Sequence, residues 1–382
     1  MAISDNFRIV IRSPLPEGLR LSYIDLNPQV SALSWETQVG GFYTCNVGYK
    51  IEGQPTYISG LKYPIEVPDL ATAQVYHGSE DGFCCSEGRV IETNSILSTN
   101  VSAFQASGFG TSDGAGGDTW FYVPPAANDQ QTIEDISRSA VNLLQRMVPS
   151  VTDILTINGN DPTIQDPGGK YTPRQEAGRY LGQAIDEIIK AGVQGGQEVA
   201  YYVYEDRRIQ LKIIEPPLDD NGIFAPDWRV TPDKTVKVKR SGRKLIGACA
   251  VQFTPPGDAQ KTTDVALVTG WSDLYGGLFR SMLIPPSNIP ELQATMVRDR
   301  YLRRYSVPVI TGSIEINGYD GAIRGRYGQP CPFFMPRYGQ WLQIGKDPFF
   351  ITKTKTNASP GAGKPGQTIV EFVNVPLSVG EV

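Results

Sequence analysis

Apolar and polar residues alternate along this chain in short runs that glycine and proline interrupt, the pattern of half-buried β-strands. Phe7-Arg8-Ile9-Val10-Ile11 and Leu19-Arg20-Leu21 open the series. Runs at 30–38 and 40–51 follow, and Gly40-Gly41, flanked by Val39 and Phe42, predicts a tight hairpin between them. Only glycine takes positive φ there without strain. Further strands are expected at 74–77 and 88–99.

The period then changes. Residues 104–125 hold Gly108, Gly110, Gly114, Gly116 and Gly117 and read as a long loop. Their spacing fits neither a dinucleotide fingerprint nor a P-loop. A helix is expected over 132–148, with Ile133, Ile136, Ala140, Leu143, Leu144 and Met147 on one face and Glu134 and Asp135 at its positive end. Thr172-Pro173-Arg174-Gln175 is a helix start, Ala177, Leu181, Ala184, Ile185, Ile188 and Ile189 give that helix a face, and Gly192 stops it. A strand pair at 199–204 and 209–214 closes the unit around Glu205-Asp206-Arg207-Arg208.

From Pro216 the strand pattern returns, at 235–239, 245–253, 263–269, 313–317, 340–344, 349–355 and 367–373. One helix is expected at about 288–304, with Leu292, Met296 and Leu302 inward. The predicted fold class is mainly β with an α+β insertion: a barrel-like N-terminal domain over 1–103, the insertion over 104–215, and a β domain with one helix over 216–382.

Composition sharpens this. Hydrophobic residues make up 40% of the 382 residues and charged ones 20%, enough for real cores. The net charge of −5, from 35 basic and 40 acidic residues, argues against gripping duplex nucleic acid, which needs a basic excess. It suits a soluble surface or a lumen past which DNA slides. No run approaches the ~18 apolar residues of a membrane span, so no stable membrane insertion is expected. The start of the chain reads as having no signal peptide. Cys45, Cys84, Cys85, Cys249 and Cys331 have no metal-type spacing, and the odd count argues against a disulfide framework and for synthesis in a reducing cytoplasm.

Catalytic chemistry finds little support. The lone histidine, His77, lacks a serine-elbow partner and reads as a strand-end residue. Vicinal Cys84-Cys85 cannot share a tetrahedral metal site as Cys-x-x-Cys pairs do. The carboxylate doublets Asp219-Asp220, Glu205-Asp206 and Glu80-Asp81 sit among turn residues, where burial to raise a pKa is not expected. Lys234, Lys237, Lys239, Arg240, Arg243 and Lys244 form a basic cluster, with Arg298, Arg300, Arg303 and Arg304 a second; both read as solvated or protein-interface charge. No catalytic, cofactor-binding or metal-binding residue is assigned, and the chain is expected not to be an enzyme. Trp35, Trp120, Trp228, Trp271 and Trp341 keep a glycan-stacking alternative open.

Val30-Ser31-Ala32-Leu33-Ser34-Trp35 leading through Gly40-Gly41-Phe42 into a strand resembles the opening hairpin of bacteriophage tail hub proteins. Val101 to Gly108 resembles the strand after which that family inserts its α+β unit. Ser272-Asp273-Leu274-Tyr275-Gly276-Gly277 and the helix ending Tyr301-Leu302 are similar to its crossover into the last sheet. Gly312 to Ile316, Phe349 to Lys353 and Thr368 to Phe372 resemble its closing barrel. The resemblance covers nearly the whole chain, mostly through hairpin and turn signals. It implies a hub in the virion tail, made in the host cytoplasm: a homotrimer whose paired barrels meet a sixfold tail tube or distal tail protein. Its opposite face would carry a tip, spike or fibre protein. The C-terminus of the tape-measure protein would be a neighbour, and DNA would pass through transiently without specific binding. The family carries no catalytic residues or cofactors over, and with the last strand so near the end at Val382 no added lytic module is expected. Trp35, Gly40, Gly41, Phe42, Trp271, Tyr275, Phe333 and Phe334 are the candidate interface positions, although Phe333 to Tyr338 read equally well as a core strand. A glycan-binding or cell-wall-degrading tail protein is the alternative function.

Overall fold

The computed structural model describes residues 7–12, 24–25, 30–50, 67, 70–78, 82–96, 101–110, 120–121, 134–135, 170–171, 179–180, 198–204, 207, 209–255, 257, 260–275, 280–287, 291–358 and 365–374.

These residues are mainly β. The first strands are β1 (Phe7–Arg12), β2 (Ile24–Asp25), β3 (Val30–Gln38), β4 (Gly40–Lys50), β5 (Thr72–His77), β6 (Phe83–Ile96) and β7 (Val101–Gly108). They pair antiparallel in the order β2-β1-β5-β6-β7-β4-β3. The short strands β8 (Trp120–Phe121), β9 (Glu134–Asp135), β10 (Lys170–Tyr171) and β11 (Arg179–Tyr180) form two small ladders, β8 with β11 and β9 with β10. A hairpin of β12 (Val199–Val203) and β13 (Ile209–Ile213) follows.

The rest of the chain holds β14 (Trp228–Val230), β15 (Lys237–Ser241), β16 (Ala248–Phe253), β17 (Thr262–Leu267), β18 (Ser281–Ser287), β19 (Val309–Asn317), β20 (Tyr319–Gly325), β21 (Pro330–Pro332), β22 (Trp341–Ile344), β23 (Asp347–Asn357) and β24 (Gln367–Val373). A short helix, Trp271–Tyr275, and a long one, Glu291–Tyr305, lie among them.

One ladder joins the two halves. β3 pairs antiparallel with β23, Trp35 opposite Thr356 and Thr37 opposite Thr354, so the early and late strands belong to a single 17-stranded sheet. Alternation explains the seam. Leu33, Trp35 and Thr37 of β3 point inward, as do Thr354 and Thr356 of β23, while Glu36 between them reaches Lys353 at 3.0 Å. The main core runs across the joint, placing Phe7, Ile9, Trp35 and Val47 together with Ile316, Phe333, Leu342 and Phe372.

A second core draws on three stretches of the chain: Phe42 and Cys84, then Ala200, Tyr202 and Tyr204, then Tyr338, Trp341 and Phe350. The start of β6, residues 84–88, is therefore buried on both faces, while residues 91–94 are exposed. Cys85 enters the main core and Cys84 the second.

Several sequence expectations need correction. Residues 104–108 complete strand β7 and do not begin a loop; Gly108 pairs with Gly88, and the rest of the expected loop, apart from 109–110 and strand β8, lies outside the described residues. Residues 134–135 and 179–180, expected in helices, are strand pairs, because tertiary pairing overrides a local helical period. The remainder of both expected helices lies outside the described residues, as do 19–21. The sixth strand starts at Phe83, ahead of the expected residue 88, and so includes Cys84 and Cys85. In the long helix Met296 is buried, but Leu292 is exposed, because the face packed on β16 is set by Ala294, Val297, Tyr301 and Tyr305. Among the described residues no helix is long and apolar enough to cross a membrane.

Candidate functional site

The predicted hairpin forms as expected and meets both cores. Gln38 pairs with Gly41, and Gly40 and Gly41 take φ of 91° and 95°. β12 then runs parallel to the hairpin's return strand, Val203 beside Gly41. A Cβ on Gly41 would stand 2.2 Å from the Val203 carbonyl oxygen, and one on Gly108 would stand 1.7 Å from that of Phe42. Neither position has room for any other residue.

Around this junction buried hydroxyls are paired. The Thr37 hydroxyl accepts the Tyr338 N–H at 2.8 Å and bonds the Thr354 hydroxyl at 2.7 Å. Tyr204 donates to the Tyr338 carbonyl at 2.6 Å, and burial pushes its phenol well up. Thr356 and Thr368 pair at 2.8 Å, and Thr368 donates to the Phe333 carbonyl at 2.6 Å. Buried hydroxyls need such partners.

Seven of the eight candidate interface residues are buried within this one chain, and Tyr275 is half-buried. Trp35, Gly40, Gly41, Phe42, Phe333 and Phe334 are buried at or near the joint. Trp271 is buried elsewhere, against Gly247, with half-buried Tyr275 tilted against it, ring centroids 4.4 Å apart. Alternation identifies an inward-facing aromatic; it does not say whether the interior belongs to the chain or to a partner. The glycan alternative also loses its platforms, since Trp35, Trp228, Trp271 and Trp341 are all buried; the side chain of Trp120 lies outside the described residues.

The catalytic candidates resolve into structural roles. His77 stacks on Phe334, centroids 4.0 Å apart, and meets Phe7 edge-on, so desolvation lowers its pKa. All five cysteines are buried and unbridged, and burial pushes the thiols of Cys45 and Cys249 up to about 12 and about 11. Such thiols are poor nucleophiles. Among the described residues no three metal-donor side chains cluster. Asp219 is spent on a turn, its Oδ1 accepting the N–H groups of Asn221 and Ile223 at 2.9 Å, and Asp220 is exposed. Glu80-Asp81 and Glu205-Asp206 lie outside the described residues.

Three outward features emerge, of which the sequence singled out only the third. The first is the three-stranded sheet β17-β16-β18, whose inner face (Cys249, Val251, Phe253) packs under the long helix. Val265 and Leu283 flank Ala250 on its outer face, with Leu267 beside Ala248, and Val265, Leu267 and Leu283 are each more than half exposed, as is Leu274 of the short helix.

The second is a cleft of about 660 Å³ between the β12–β13 hairpin and β22, lined by Tyr202, Lys212, Pro217, Asp227, Arg337 and Trp341. The Asp227 carboxylate accepts the Trp341 N–H at 2.8 Å, yet desolvation raises its pKa against that bond and against Lys212 and Arg337. The Arg337 guanidinium lies 4.5 Å over the Tyr204 ring.

The third is the predicted basic cluster. Lys237, Lys239 and Arg240 lie on β15, which among the described residues pairs only with β19 and is exposed on both faces. Lys234 stands apart, engaged with Asp320. Of the second basic group, Arg300 and Arg304 are buried, Arg304 facing Glu198 at 3.5 Å, and Arg298 binds Asp264 and Asp299.

No family model matches the sequence, and no curated protein matches it. Solved structures do. The chain is similar to prophage tail protein gp18 from Listeria monocytogenes EGD-e (TM-score 0.56, 10% identity, 95% of this chain and 94% of that one). It is similar to the tail protein from Neisseria meningitidis MC58 (0.56, 10%, 96% of each). It is likewise similar to the 43 kDa tail protein of prophage MuSo2 from Shewanella oneidensis (0.56, 11%, 96% and 98%). At these identities the likeness is one of fold, and it spans both chains nearly end to end.

Proposed function

We propose that this chain is a structural protein of a phage or phage-like tail, acting as the hub at its distal end and catalysing no reaction. The observation that carries the reading is the single sheet made from both halves of the chain through β3 and β23, in a fold shared nearly end to end with three tail proteins. A chain that holds two β units in one fixed relation supplies two places in a ring. Three copies supply six, which adapts a sixfold tail tube or distal tail ring to a threefold tip, spike or fibre.

In this reading the early strands through β7 and the strands after 215/216 are two ring-forming units, and the inserted unit begins only after Gly108. The tape-measure protein's C-terminus and, later, DNA occupy the centre. The protein resides in the virion tail.

Native mass spectrometry with negative-stain class averages of the purified full chain tests the proposal. A trimer with a threefold ring supports it. A chain that stays monomeric up to about 100 μM, and that fails to join tail tube or distal tail protein, contradicts it.

A further inference from the structure

Two surface elements of opposite charge remain uncovered in the single chain. The first is an arm between β13 and β14. From Glu215 to Asp227 it carries Glu215, Asp219, Asp220 and Asp227 and no cation. It is not a slack loop. Asp219 accepts two backbone N–H groups at the tip, Gly222 takes φ of 75°, and the N–H of Asp219 and that of Gly222 bond the carbonyls of Ile223 and Asp219 at 2.8 and 2.9 Å. This fixed turn displays Leu218 at 64% and Ile223 at 63% exposure beside exposed Asp220. A fixed turn displaying two large apolar side chains is arranged for contact, since its backbone needs no further ordering on binding.

The second element is β15. From Lys234 to Phe253 the chain holds Lys234, Lys237, Lys239, Arg240, Arg243 and Lys244 and no acid. By strand alternation Val238 and Arg240 share one face of β15. Val238 is 55% exposed, and Arg240 is exposed beside it. An apolar residue next to a cation on one element answers apolar residues next to an acid on the other.

We propose that the acidic arm 215–227 of one copy docks on the Val238–Arg240 face of β15 in the next copy, Asp220 against Arg240 and Leu218 and Ile223 over Val238. The proposal rests on the ring reading above and names its contact. The partner is a second copy of this chain, chosen by complementary charge, so the contact weakens as salt rises.

A charge swap on the full chain tests it, with association read by native mass spectrometry and sedimentation at several salt concentrations. Asp220→Arg and Arg240→Glu each weaken ring assembly by about tenfold, and the double variant recovers to within about threefold of the original. Both positions are exposed, and an unchanged melting temperature of the monomer confirms that each variant folds. If the unaltered chain forms rings and the single variants form them equally well, the arm contact is wrong while the ring reading stands. Single variants that weaken assembly without rescue in the double variant also overturn the pairing. If the unaltered chain never associates, the ring reading falls and this contact falls with it.

Discussion

The joint between β3 and β23 and the three-stranded sheet β17-β16-β18 are built from the same kinds of residue and end differently. At the joint both sheet faces are covered: Trp35, Val47 and Phe333 on one, Phe42, Tyr204 and Phe350 on the other. Even its hydroxyls, on Thr37, Thr354, Thr356 and Thr368, are buried and bonded within the chain. The three-stranded sheet covers only the face under the long helix and leaves Val265, Leu267 and Leu283 outward. Apolar residues at the joint make one rigid body from two β units. Those on the open sheet, like the arm and β15, are available to a neighbour.

Cutting the joint gives the largest effect. Trp35→Ala removes a fully buried indole packed on Phe7 and is expected to destabilise the chain by about 3–5 kcal/mol in urea unfolding. A loss under about 1 kcal/mol would mean the two halves are not packed as one body. Thr37→Val is milder. It keeps the shape but leaves the Tyr338 N–H without its 2.8 Å acceptor, a cost of about 1–3 kcal/mol. The open sheet behaves oppositely: Leu267→Ser changes monomer stability by no more than about 0.5 kcal/mol. If that substitution unfolds the chain, Leu267 is covered and the contrast between the two regions is lost.

The sequence made the joint's local half legible. Gly40-Gly41 between two alternating runs specifies the hairpin by backbone conformation alone, and 313–317, 349–355 and 367–373 announce their strands by period. The joint itself was not legible, because β3 and β23 are far apart in the chain and alternation does not name a partner. β20 and β21 escaped for another reason: Tyr319-Asp320-Gly321 and Pro330-Cys331-Pro332 carry turn residues inside strands. The same blindness placed Trp35, Phe42 and Phe333 among interface candidates. The basic run was read as charge on a strand. Its position at a sheet edge among the described residues follows only from its pairing with β19.

The smallest effect is a pH dependence at the joint's rim. Burial against Phe334 lowers the pKa of His77, the chain's only histidine, so the unfolded chain takes up a proton before the folded one. Stability is then full above the unfolded value, about 6.5, and falls as pH drops from there towards the depressed folded value. His77→Phe keeps the stacking and should flatten the melting-temperature profile between pH 7.5 and 5.5. An equally sloped profile in that variant would assign the dependence to another group.

The division of labour between a sealed joint and open assembly surfaces is tested most directly by hydrogen–deuterium exchange on the isolated chain and on its assembled form. The account predicts strong protection of 33–37 and 351–357 in both states, and protection of 215–227 and 237–241 gained only on assembly. Exchange at the joint that is fast in the isolated chain and slow only after assembly would contradict it, since the two β units would then be brought together by the assembly.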